Sequence, residues 1–193
     1  MLIRSLKGAK IMAKSKIVKR FLSNGQEILI RYPKMSDCAD LLKNINSLVD
    51  ERAFIAHQVK QTKKSEEKWL VELLLKIRQK KSVALAVEIN GRVVGLAQVG
   101  KERTEVESHV ASFGISLIKE ARGRGIGKEL LNAVIAEAKK VLRVKIITLT
   151  VFAVNKRAII LYRSCGFQKT ETLKGGIKHY GRFLDRISMI KYL

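Results

Sequence analysis

Among 193 residues there is one proline, and there are only two cysteines and three histidines. Each scarcity closes off a class of explanation. With Pro33 alone and no low-complexity tract, the chain is neither collagen-like nor a proline-rich linker. Cys38 and Cys165 lie far apart without CxxC spacing, and His57, His109 and His179 are scattered. Neither a disulfide framework nor a metal site is read from such spacing, and a reducing cytoplasm is the expected compartment. Cys165 has no neighbouring histidine to activate it and reads as a structural thiol. No apolar run approaches the roughly 18 residues of a membrane span, so a soluble protein without membrane contact is expected. Acids are few as well, 17 against 39 lysines and arginines, for a net charge of +22. That excess attracts polyanions such as nucleic acid, ribosomal surfaces or anionic lipid. A generally lysine-rich, solvated surface accounts for it equally well.

What is present is enough for one globular domain with a short extension: 47% hydrophobic and 29% charged residues. Residues 1–22 read as a basic arm. Arg4, Lys7, Lys10, Lys14, Lys16, Lys19 and Arg20 fall within it and no acid interrupts them up to residue 20, while Met12 offers a second start. The domain proper is taken as 23–193.

Residues 121–131 read ARGRGIGKELL, with glycines at 123, 125 and 127 leading into an amphipathic helix. Backbone without side chains can approach a ligand closely, and the free N–H groups and positive dipole end of a helix's first turn attract phosphate. A dinucleotide fingerprint requires G-x-G-x-x-G, and a P-loop requires four residues between its glycines followed by Lys-Ser or Lys-Thr; neither spacing is present. An anion site remains, with a glycine-rich strand-to-helix turn as the plain alternative.

Around this loop the pattern alternates between strand and helix. Residues 26–32 read as a first strand ended by Pro33. Ser36 or Asp37 caps a helix to about Leu48, and Ser65 opens a second with Glu67 in its first turn and the stripe Trp69, Leu70, Leu73, Leu74 and Ile77. Residues 82–89 and 92–100 form a hairpin at Asn90-Gly91. Residues 109–118 lead into the loop, the next helix carries Ile126, Leu130, Leu131, Val134, Ile135 and Ala138, and 145–151 returns as a strand. Strand, loop, helix, strand is a right-handed crossover with parallel neighbours. A short helix over 155–165 ends at Gly166, and strands over 167–173 and 184–192 finish the chain.

Arg122, Gly125 and Gly127 fit the pattern R/Q-x-x-G-x-G/A, and Asn155, Ala158, Leu161, Tyr162, Gly166 and Phe167 fit N-x-x-A-x-x-L-Y-x-x-x-G-F. In that order, with a strand between them, the two motifs resemble those of the GNAT family of N-acetyltransferases. The resemblance covers about residues 28–193. It implies an α/β (α+β) fold: a mixed, mostly antiparallel sheet with a central parallel strand pair and helices on both faces.

The resemblance also implies acetyl-CoA as cofactor, held by Leu117, Ile118, Arg122, Gly123, Arg124, Gly125, Ile126, Gly127, Lys128, Asn155 and Tyr162, with Arg122 and Arg124 flanking the pyrophosphate. The implied reaction is direct acetyl transfer to a primary amine. A backbone N–H near residues 116–118 would steady the negative oxygen, and Tyr162 would protonate the departing thiolate. Family members with a strand carboxylate as base place it about eleven residues before the loop's Arg or Gln, which here is Ala111. His109, a residue type able to take up a proton near neutral pH, is the candidate base, and Glu107 or a water relay are the alternatives.

Gly175, Gly176, Gly181 and Asp185 in the C-terminal stretch resemble a branch that includes ribosomal-protein, spermidine and amino-acid acetyltransferases. The resemblance also implies that the acceptor is selected by the segments over about 46–64, which contains Asp50 and Glu51, and 172–182. The high positive charge disfavours free polyamines and favours a protein or peptide amine, or an amine presented on something acidic such as a ribosome. A small-molecule amine is the alternative acceptor. A basic nucleic-acid- or ribosome-binding module that keeps its coenzyme site is the alternative class. A homodimer is common in the family.

Overall fold

The structure, a computed structural model, describes residues 15–102 and 104–193. Most of the basic arm, with Met12, lies outside the described residues.

One sheet is built from β1 (Ile17–Ser23), β2 (Gln26–Arg31), β3 (Ser82–Ile89), β4 (Arg92–Lys101), β5 (Val110–Leu117), β6 (Ile146–Phe152), β7 (Gln168–His179) and β8 (Arg182–Tyr192). Its spatial order is β1-β2-β3-β4-β5-β6-β8-β7. Neighbours are antiparallel except for the central parallel pair of β5 and β6. The helices are α1 (Cys38–Asp50), α2 (Lys63–Arg78), α3 (Ile126–Leu142) and α4 (Lys156–Ser164).

Both faces are covered, though unequally. The larger core lies under α3 and α4, where Ile126, Leu130, Leu131, Val134, Ile135 and Ala138 form the buried stripe of α3 expected from their spacing. On the opposite face Leu41, Leu70 and Leu73 of α1 and α2 pack on Ala84, Ala86, Val93 and Leu96 of β3 and β4. Trp69, expected in the α2 stripe, is 38% exposed.

Three two-residue turns with both central residues at positive φ set the hairpins: Asn24-Gly25, Asn90-Gly91 and Tyr180-Gly181. This is the geometry whose twist matches paired strands. Asn90-Gly91 was expected. Asn24-Gly25 adds a strand that the composition hid, because β1 falls largely within the span read as a basic arm. Its cations are partly used inside the molecule: Lys16 pairs with Glu137 at 3.0 Å, Lys19 with Glu129, and Arg20 with Glu27 at 2.9 Å. Tyr32 donates to Glu137 at 2.8 Å, so the start of the sheet is tied to α3.

Two caps also differ from expectation. Asp37 stands at the N-cap of α1 but makes no side-chain cap hydrogen bond. Its carboxylate accepts both terminal nitrogens of Arg31 at 2.8 Å, while Arg31 Nε donates to Glu88 at 2.6 Å. A buried guanidinium needs its charge matched, and that demand outweighs a capping bond. Thr62, not Ser65, caps α2; Ser65 is the reciprocal partner three residues on.

Candidate active site

β5 stays paired with β4 as far as Leu117, and β6 stays paired with β8 as far as Phe152. Toward each other they pair only at Val110–Ile146, Ala111–Ile147 and Ser112–Thr148. Beyond Ser112 the two parallel strands diverge, leaving a wedge that widens toward the glycine loop. Backbone groups along a strand point alternately to its two neighbours. Because Ile118 N–H donates to Val94 O on β4 and His109 O accepts on the β6 side, the N–H groups of Phe113, Ile115 and Leu117 point into the wedge. Of residues 116–118, expected to supply a donor, Leu117 is therefore the one aimed there.

A one-turn 3-10 segment, Lys119–Ala121, carries the chain from β5 to the loop. The three glycines serve different ends. Gly123 has φ +78° and leaves room where a side chain would meet the Arg157 guanidinium. Gly125 is the N-cap of α3 at φ +74°. Gly127 packs between Leu117 and Leu161, where an added carbon would touch both side chains at 3.4 Å. Lys128 N–H is bound to Gly125 O at 3.0 Å, but the N–H groups of residues 123–127 have no acceptor among the described residues. Five consecutive unmet donors at the positive end of a 17-residue helix fit a pyrophosphate.

The arginines are not arranged as the sequence suggested. Arg122 donates to Leu117 O at 2.9 Å and pairs with Glu51 from the segment between α1 and α2. Arg124 turns toward the β1–β2 turn, reaching Ser23 O at 3.0 Å and Gln26 Oε1 at 2.8 Å. It pins the loop to the sheet. The cation beside Gly123 is Arg157 of α4, which sequence reasoning passed over because it fills an unspecified position of the second motif.

α4 brings Tyr162 against the wedge. Its ring meets Phe113 edge-on at 6.0 Å and Phe167 at 6.0 Å, and only 7% of the residue is exposed. Burial pushes the phenol up to about 12, so it is a protonated donor throughout the physiological range. Its hydroxyl has no hydrogen-bond partner among the described residues. Asn155 caps α4 by accepting from Ala158 N–H at 3.2 Å, and its amide nitrogen has no partner among the described residues.

His109 is not brought to this group. It is exposed, precedes β5, and sits at the closed end of the wedge, where its carbonyl receives Lys145 N–H at 2.8 Å. Four strand residues, about 13 Å, separate it from Phe113 beside Tyr162. Glu107 lies in the same exposed turn, bonded to Thr104. Ala111 is buried in the core under α3 and α4.

On the other side of the sheet, α1 and α2 stop short of β5 and β6. Ser112, Gly114 and Thr150 are exposed there, so the wedge opens onto an uncovered strip of small polar residues. A cluster absent from the sequence reading borders it. Phe152, the last residue of β6, lies 5.3 Å from Phe54 and 5.1 Å from the His179 ring, and Tyr180 meets His179 at 4.7 Å. His179, 8% exposed, reaches Ala53 O at 3.2 Å, and Gln58 bonds the backbone of both Lys178 and Tyr180. The α1–α2 segment and the β7–β8 turn are thereby locked together, the two segments expected to select an acceptor.

Comparison with known proteins gives this geometry a class. The model of the acetyltransferase (GNAT) family matches residues 45–167. The crystal structure of a ribosomal-protein-alanine N-acetyltransferase from Brucella melitensis is 32% identical and superposes with a TM-score of 0.78, covering 86% of this chain and 99% of that one. The chain belongs to the GNAT family of acetyltransferases. The L-amino acid N-acetyltransferase AaaT of Escherichia coli K12 is 34% identical over 103 residues; the matched stretch spans 53% of this chain and 64% of AaaT, just under two thirds. A phosphinothricin acetyltransferase from Sinorhizobium meliloti, solved with acetyl-CoA, shares the fold at 20% identity and a TM-score of 0.74, covering 86% of this chain and 88% of that one. Among the described residues no helix is long and apolar enough to cross a membrane, and no cluster of side chains fits a metal ion.

Proposed function

We propose that the chain acetylates a primary amine of a protein or peptide, which enters over the uncovered sheet strip and meets the cofactor through the wedge. The observation that carries this reading is the exposed row Ser112, Gly114 and Thr150, flanked by the locked α1–α2 and β7–β8 segments. An open strip suits an extended chain better than an enclosed pocket would.

Acetyl-CoA supplies the acetyl group as a reactive thioester. In this reading the N–H groups of residues 123–127 bind its pyrophosphate with Arg157 beside them, and Asn155 contributes its free amide nitrogen. Leu117 and Ile118 line the approach through backbone and side chain respectively, since the Ile118 N–H is already bonded. Arg122, Arg124 and Lys128 act as scaffold for the loop. The Leu117 or Ile115 N–H is the donor for the developing negative oxygen. Tyr162 holds the proton that the thiolate requires, and its burial keeps that proton in place. An amine is mostly protonated at neutral pH and must lose a proton to attack. With His109 and Glu107 at the far end of β5, water over Ser112, Ser116 and Thr150 is the route that proton takes.

The charge of +22 supports an acceptor that is acidic or borne on an acidic assembly such as a ribosome, and free Cys38 and Cys165 support a cytoplasmic setting. The similarity to AaaT favours a second reading, a free amino acid as acceptor. Coenzyme release measured with acetyl-CoA on a panel of peptides, amino acids and polyamines separates the two. Turnover of peptides supports the first, turnover of amino acids alone supports the second, and turnover of polyamines alone refutes both. Cofactor binding without acetylation of any amine, together with salt-sensitive RNA binding, would make the protein a binding module.

A further inference from the structure

The Arg186 side chain makes no hydrogen bond or ion pair among the described residues, and its Nε is buried without a partner. The other buried guanidine nitrogen lacking one belongs to Arg124, whose terminal nitrogen is anchored to Ser23 and Gln26. Arg186 has no such anchor. Buried donors in folded proteins are nearly always satisfied, so one left open calls for an explanation.

Its position supplies the explanation. In the antiparallel ladder Arg186 stands opposite Phe152 on one side and Leu173 on the other, and opposed residues share a face. Phe152 faces Phe54 and His179, so Arg186 lies on the uncovered face beside that cluster. Thr150 and Ser188 are the next pair along the same face. The arginine stem thus stands on the sheet face between two apolar positions, Phe152 and Leu173, while its charged end has no partner among the described residues. Glu171, opposite Ser188 on β7, shares the face but is not bonded to it.

We propose that Arg186 is a specificity-determining residue of the acceptor site, its guanidinium pairing with a carboxylate that the acceptor carries close to the amine to be acetylated. This rests on the reading that the amine enters over the uncovered strip. Guanidinium and carboxylate match in a planar, two-bonded geometry that a neutral amide cannot reproduce. The carboxylate has two available sources: the α-carboxylate of a free amino acid, or an acidic side chain next to a peptide's N-terminus.

The test measures acetylation by the full chain of two matched pairs, an amino acid beside its amide and a peptide with Asp beside the same peptide with Asn. The wild type should favour the carboxylate member of one pair by about 10- to 100-fold in kcat/KM, and the pair that shows the preference identifies the source. In Arg186→Gln that preference should collapse toward one, mainly through KM, with Arg186→Lys recovering part of it. Absence of the preference in the wild type, or its survival in Arg186→Gln, overturns the proposal. An equal loss on both members with a lowered Tm overturns it too, making Arg186 structural. Gly114→Leu, which fills the strip at a site with no neighbour within 4 Å, separates the two layers of argument. If Gly114→Leu blocks acetylation while Arg186→Gln keeps the preference, entry over the strip stands and the role of Arg186 falls. If Gly114→Leu leaves acetylation intact, entry over the strip falls and the proposal with it.

Discussion

Replacing Tyr162 by phenylalanine removes one oxygen atom from the wall of the wedge and little else. The ring keeps its edge contact with Phe113 and its contact with Phe167, both at 6.0 Å, so packing in a residue only 7% exposed is preserved. What goes is a phenol that burial has pushed up to about 12. At neutral pH that group is essentially all protonated, and even at pH 10 only about 1% has ionised. A positioned acid contributes roughly 100- to 10,000-fold, and water can partly replace it. The expected loss in kcat is therefore on the order of 100-fold, about 2.7 kcal/mol of barrier.

Thiol release at saturating acetyl-CoA gives kcat, and calorimetric titration gives the cofactor Kd, which should stay within a factor of about three because the loop N–H groups are untouched. The wild-type rate should show no alkaline decline attributable to this group below about pH 11. An unchanged kcat in the variant would refute the role. So would a fall in affinity matching the fall in rate, or a decline near pH 9 that disappears with the hydroxyl. His109→Ala, at the closed end of the wedge, should leave kcat within about twofold.

Asp37→Asn leaves the Arg31 guanidinium buried with half its partner charge gone and should cost about 3–5 kcal/mol by urea denaturation; a loss under 1 would show that Glu88 suffices. Glu66 is buried and its carboxyl is raised by desolvation, so stability is lost as pH rises from the ordinary carboxylate range through the raised folded-state value. Glu66→Gln should therefore raise Tm at pH 7, with the gain shrinking as pH falls toward 4, and a gain independent of pH would exclude this cause. Gly125→Ala meets no atom within 4 Å but must hold φ near +74°, which costs about 1–2 kcal/mol. Melting should drop by about 2–8 °C and acetyl-CoA should bind more weakly, whereas wild-type values for both would mean the loop relaxes freely.

Much of this architecture was legible because it is written in short-range pattern. The α3 stripe, the Asn90-Gly91 turn and the alternating glycines each depend on residues within a few positions of one another, where helix and strand periods and backbone sterics act directly. Asn24-Gly25 carried the same turn signal and was missed. The surrounding lysines and arginines looked like a solvated arm, and only their pairing with Glu129 and Glu137 of α3 shows otherwise. Ser36 and Asp37 both look like caps in the sequence because nothing nearby announces that Arg31 needs a buried counter-charge.

By itself, then, the sequence determined the class of fold and the features proposed to hold the cofactor: a glycine loop at a helix start, followed by a helix carrying Asn155 and Tyr162. Tertiary structure alone decided the arrangement proposed as the acceptor half. Arg122 with Glu51, Arg124 with Ser23, His179 with Ala53 and Arg186 beside Phe152 join segments far apart in the chain, where no period links one partner to the other. The parting of β5 from β6 after three paired residues has the same origin. It depends on how β4 and β8 hold the two strands, and that becomes visible only when the whole sheet is assembled.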